Sequence, residues 1–108
     1  MTTLTKRRDF LAANGGRRAP MPAFVLLVRD RGDGDPAMRI GYTVTRKIGN
    51  AVVRNRIKRR FRALARSVLP MGGVRGADHV LIGRSEALVR DFARLEGDLA
   101  KALRKVAR

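Results

Sequence analysis

The sequence has no cysteine, no tryptophan, one histidine and few aromatic residues of any kind. Without cysteine there is no disulfide framework and no thiolate metal or redox site, and His79 alone cannot assemble an imidazole cluster. A reducing compartment is the expected setting. No stretch approaches the roughly 18 to 20 apolar residues that span a bilayer. The N-terminal segment carries Lys6, Arg7, Arg8 and Asp9 where a signal peptide needs an apolar core. The expectation is a cytoplasmic protein with no membrane association.

Acid is the other scarcity. Nine Asp and Glu stand against 25 Lys and Arg, a formal charge of +16 on 108 residues. Such a chain repels itself unless a polyanion or counterions offset the charge, and nucleic acid is the first partner implied. The deficit is uneven, because Pro36 to Ala77 contains no Asp or Glu but eleven Lys and Arg. Arginine dominates the cations; codon bias can account for a share of that preference, but not for the net charge. The length suits one domain, 1–108, with one core.

Periodicity orders the elements. Thr5 to Ala13 reads as a short helix capped by Thr5 and stopped by Asn14-Gly15-Gly16. Arg17 to Met21 is at most an edge strand. Phe24 to Val28 reads as a buried strand, and Arg29 to Pro36 as a loop rich in Gly and Asp. Met38 to Thr45 alternates Ile40, Tyr42 and Val44 with Arg39, Gly41, Thr43 and Thr45. A hairpin between these two strands is expected, with Val25 and Leu27 sharing the open face with Thr43. From Asn50, a helix cap, Val53, Ile57, Phe61, Leu64 and Val68 form one stripe that ends near Pro70. His79 to Gly83 is a further strand. Ser85 caps a last helix with Leu88, Phe92, Leu95, Leu99, Leu103 and Val106 on one face and Asp91, Arg94, Asp98 and Lys101 at pairing distance on the other. The order α-β-β-β-α-β-α defines an α+β domain.

The helix from Asn50 holds the candidate site. Opposite its apolar stripe stand Arg54, Arg56, Lys58, Arg59, Arg60, Arg62 and Arg66, with no acid among them. A solvated face normally mixes signs at these spacings, and a disordered basic tail lacks an apolar stripe. A DNA recognition helix follows another helix across a short turn, whereas strands precede this one. Arg46 and Lys47 before the turn, Asn50 in it, and Arg54, Asn55 and Arg56 after it would join in one cationic surface at a helix N-terminus suited to phosphate. Asn55 can orient a neighbouring guanidinium, contact a base or help hold a hydrated metal ion. Nothing forms a catalytic set: His79 reads as a surface or edge residue, and the acids of the last helix read as surface ion pairs. No protein-held metal or cofactor is expected, and with no sign of dimer symmetry a monomer is.

Lys47 to Arg62, KIGNAVVRNRIKRRFR, resembles the signature of the bacterial ribonuclease P protein component, whose hallmark is an Arg-Asn-Arg triplet opening a basic helix. The likeness extends upstream through Arg39 to Arg46, and more loosely to Arg8-Asp9-Phe10 and to Val80-Leu81-Ile82. It implies a small two-layer α-β sandwich with a mainly antiparallel sheet and a left-handed crossover through the basic helix, the ribosomal protein domain 2-like arrangement. It also implies a non-catalytic subunit that binds the catalytic RNA and the single-stranded 5′ leader of precursor tRNA, assisting endonucleolytic 5′ maturation with magnesium on the RNA. Carried over by position, Arg46, Lys47, Asn50, Arg54, Asn55, Arg56, Lys58, Arg59 and Arg62 face RNA, while Phe10, Val25, Leu27 and Thr43 line a leader cleft. Asn14 and Leu27 stand where relatives often place aromatic rings. The competing reading is a ribosomal protein or RNA chaperone without linked nuclease activity; a DNA-binding regulator ranks below it.

Overall fold

The computed structural model describes residues 1–107. Five strands, β1 (Thr2–Thr3), β2 (Arg17–Pro20), β3 (Phe24–Asp30), β4 (Arg39–Thr43) and β5 (Ala77–Gly83), form one open sheet in the order β1-β4-β5-β3-β2. Three helices, α1 (Arg7–Ala13), α2 (Ala51–Gly72) and α3 (Phe92–Val106), complete the α+β domain. The β2–β3 and β3–β5 ladders are antiparallel; the β4–β5 and β1–β4 ladders are parallel. α2 therefore joins two parallel neighbours, where the resemblance puts the crossover.

The expected hairpin does not form, because β5 lies between β3 and β4. Val80 and Leu81 are buried on opposite faces of β5, so the central position covers both apolar rows. The expected facing nevertheless holds. In-register partners share a face, and the row Thr43, Ile82, Val25 runs across the sheet beside the row Gly41, Val80, Leu27.

The main core lies between the sheet and α2 with α3. Ile57, Phe61 and Leu64 are buried, Val53 and Val68 half-buried at its rim, and Phe61 meets Phe24 edge to face with ring centroids 6.1 Å apart. The opposite face carries a smaller cluster of Leu4, Ala13, Val25, Leu27 and Val80, partly covered by α1 and Phe10. Asn50 caps α2 as expected, its side chain accepting from the Val53 N–H at 3.0 Å.

Other boundaries differ. α1 starts at Arg7 without a side-chain cap, so Thr5 does not cap it, and α2 carries Pro70 in its last turn before ending at Gly72. That late in a helix, the missing proline N–H costs one bond rather than the helix. Ser85 opens a short 3-10 turn, Ser85–Leu88, and α3 begins only at Phe92. The break has a partner, since Arg60 donates to the carbonyls of Leu88 and Arg90. The expected ion-pair ladder on α3 gives way to one pair from before the helix, Arg90 to Asp98 at 2.6 Å. No helix is long and apolar enough to cross a membrane among the described residues.

Candidate nucleic-acid interface

The turn between β4 and α2 is closed by Ile48 N–H donating to Thr45 at 3.1 Å and Gly49 N–H to Arg46 at 3.3 Å. Arg46 and Lys47 are thereby held, exposed, at the start of α2. Asn55, Arg56, Arg59 and Arg62 are exposed along the helix, and Arg54 and Lys58 are half-buried. Among the described residues, no carboxylate lies within ion-pair distance of any of these cations; every ion pair involves Arg17, Arg29, Arg31, Arg39 or Arg90. The cationic side of α2 is uncompensated in three dimensions as well as along the chain.

Three members depart from a uniform surface. Asn50 spends its side-chain oxygen on the cap, which leaves its amide as a donor. Arg54 buries its Nε without a hydrogen-bond partner among the described residues, so it packs as well as presenting charge. Arg60, grouped with the free cations in the sequence, is committed to holding the 3-10 turn.

On the opposite face of the sheet a cleft of about 260 Å³ opens between α1 and the strands. Phe10, Leu27 and Thr43 line it, whereas Val25 is buried in the cluster beneath. Asn14, noted where relatives often place an aromatic ring, also lines it, and Arg7, Leu11, Val80 and Ile82 complete the lining and were missed from the sequence. The alternation Val80, Ile82 was the available signal, hidden because the sequence assigns β5 no neighbour. Thr43 lines the cleft at the end of β4 from which the chain turns into α2, with Ile82 beside it near the end of β5, so the cationic turn follows this end of the cleft along the chain.

The other end of the same face is closed by charge. Asp78 is fully buried, and Arg39 grips it with Nε at 2.6 Å and Nη2 at 2.7 Å. Arg31 adds a bond at 3.0 Å and Arg29 approaches to 3.8 Å. Burial pushes the Asp78 carboxyl up, but the hydrogen bonds and charges of Arg39 and Arg31 outweigh it and hold the group below the usual carboxylate range. Arg31 also ties the loop after β3 through Asp33, Asp35 and Ala37.

His79, expected at the surface, is fully buried on the α2 side of β5. The Val74 N–H donates to its Nε2 at 3.0 Å, so the neutral ring carries its proton on Nδ1, 3.2 Å from the Arg39 carbonyl. Burial is the main cause that lowers its pKa from 6.5, despite the raising effect of the Arg39 carbonyl. Because the unfolded chain then binds the proton more readily, stability falls as pH drops below 6.5 and levels off below the native value. Urea midpoints measured from neutral pH downward should show this decline, and His79→Leu should flatten it; equal slopes in both proteins would refute the assignment.

The geometry thus defines a class: a small basic α+β domain with an uncompensated cationic helix on one face of the sheet and an apolar cleft on the other. A family model described as Ribonuclease P matches residues 1–107. The ribonuclease P protein component of Erythrobacter litoralis is 53% identical over 103 residues, covering 94% of this chain and 83% of that protein. That of Gluconacetobacter diazotrophicus is 52% identical over 103 residues, covering 94% and 88%. The RNase P protein from Thermotoga maritima is similar with a TM-score of 0.82 at 30% identity, over 100% of both chains. This chain belongs to the ribonuclease P protein family, as a protein component of the bacterial type. Its setting is a tRNA-processing ribonucleoprotein nuclease.

Proposed function

We propose that this chain binds the catalytic RNA of ribonuclease P along the cationic side of α2 and receives the single-stranded 5′ leader of precursor tRNA in the cleft under α1, assisting 5′ maturation while the scission belongs to the RNA. Two observations carry this reading: the cationic face has no carboxylate partner among the described residues, and an apolar cleft on the other face of the sheet reaches Thr43, at the end of β4 where the chain enters the cationic turn. Phosphates supply the missing counter-charge. An aromatic ring such as Phe10 offers each base a sequence-tolerant surface worth roughly 1 to 3 kcal/mol. That suits a leader whose sequence varies.

Magnesium enters this proposal on the RNA, as the family resemblance implies. By screening phosphate repulsion, the cations of α2 lower the magnesium that the RNA requires. The direct test is cleavage of a 5′-extended precursor tRNA by a bacterial ribonuclease P RNA at low magnesium, with and without the protein. Mature-end cleavage only in its presence is the expected result. Tight RNA binding without stimulation, in a pairing shown to work with a known subunit, would instead favour a ribosomal or chaperone role.

Affinity for the RNA should be strongly salt-dependent. If about six phosphates are neutralised, the log-log slope is about −4 for single strands and about −5 for a duplex. Filter binding over a salt series measures it, and a slope near zero would exclude an electrostatic interface.

A further inference from the structure

α1 is the wall of the cleft, yet little holds it. It has seven residues, no side-chain cap, and only Ala13 fully buried. It packs mainly on β5 and β3, and β4 adds Arg39, which approaches Asp9, and Gly41, which lies under Phe10. Thr43 lines the cleft, Gly41 is buried under Phe10, and Arg39 stands farther along the same face of β4 beside Asp9.

Gly41 is a seat. A Cβ there would stand 2.6 Å from Cε1 and 2.8 Å from Cζ of Phe10, so the ring reaches its place only because β4 has no side chain beneath it. Arg39 is a clamp. The guanidinium that holds buried Asp78 with two nitrogens also approaches Asp9 on α1, with Nη2 at 3.5 Å from Oδ1. Asp9 immediately precedes Phe10, so the clamp acts one residue from the ring. Because Asp78 is held by Arg29, Arg31 and Arg39 together, the guanidinium of Arg39 is anchored on the strand side of its contact with α1.

We propose that Arg39 is a positioning residue for the cleft: held by Asp78 beneath it, its guanidinium fixes α1 through Asp9 so that the Phe10 ring rests on Gly41 and the cleft keeps its width. This rests on the leader-cleft reading above. Arg39 itself touches no substrate, and its effect passes through the placement of Phe10.

Three variants test it without disturbing Asp78. Asp9→Asn keeps the shape of the side chain and removes its charge, Asp9→Glu retains the charge, and Gly41→Ala lifts the ring from its seat. The measurement is KM and kcat of the reconstituted holoenzyme for a precursor tRNA with a long leader and for one with a single-nucleotide leader, with melting midpoint and RNA affinity recorded alongside. Asp9→Asn and Gly41→Ala are expected to raise KM for the long leader by about three- to tenfold, no more than the loss of one stacked base. KM for the short leader, kcat and RNA affinity stay at the wild-type values, and Asp9→Glu restores most of the loss. Wild-type KM in Asp9→Asn, or an equal change for both substrates, would overturn the proposal even if Gly41→Ala fails to fold. If the unaltered holoenzyme does not distinguish the two leaders, the cleft reading falls first and this proposal with it.

Discussion

Phe61→Ala should remove about 3–5 kcal/mol of unfolding free energy, the usual cost of emptying a buried phenyl site, while Arg56→Ala should leave stability near the wild-type value. Both residues lie on α2, but Phe61 is fully buried against Phe24, and Arg56 is exposed with no ion-pair partner among the described residues. A small domain has only about 5–15 kcal/mol in total, so the first variant is expected to be partly unfolded under mild conditions. Arg56→Ala should instead weaken RNA binding across sequences and make its salt slope shallower by about 1. Denaturant titration and filter binding on the same two proteins separate the faces. A stable Phe61→Ala would remove α2 from the core, and an Arg56→Ala protein that binds RNA like the wild type would remove Arg56 from the interface. Arg54→Ala is a poorer probe, because its half-buried side chain packs as well as carrying charge.

Asp78→Asn is expected to cost about 3 kcal/mol, the lower end of the range for breaking a buried ion pair by removing one partner. The low end applies because Arg39 and Arg29 retain access to water, with side chains 29% and 36% exposed, whereas Arg31 at 6% is trapped. The loop that Arg31 closes should loosen with it. Since the native carboxyl titrates below the unfolded value of 3.8, its stabilisation is complete above that value and is lost as pH falls through the native one. The wild-type protein should therefore show an acid unfolding transition below pH 3.8 that is weakened in Asp78→Asn. Equal denaturant midpoints at neutral pH would show that the three arginines do not depend on this carboxylate. The position is outside the proposed RNA surface, so residual folded protein should keep its RNA affinity.

The sequence by itself determined what short-range periodicity and charge can carry. The step of three and four from Val53 to Val68 located both sides of α2, Asn50 marked its start, and the acid-free stretch from Pro36 to Ala77 identified the cationic surface. These are properties of one element and its near neighbours, and their physical causes are local. The triplet Arg54-Asn55-Arg56 and its flanks also carried the family.

Tertiary structure decided which strands are neighbours. Alternation says which residues of a strand share a face but not what lies beside it, so β5 was not placed between β3 and β4, and Val80 and Ile82 were missed in the cleft. The same ignorance of neighbours made Asp78 and His79 look like ordinary strand-end polar residues. Their burial is possible only because Arg39, Arg31 and Arg29 arrive from other strands and loops to compensate the charge, and the backbone of Val74 and Arg39 satisfies the ring. A buried polar group is stable only with its partners in place, and those partners are brought together by the fold rather than by proximity along the chain.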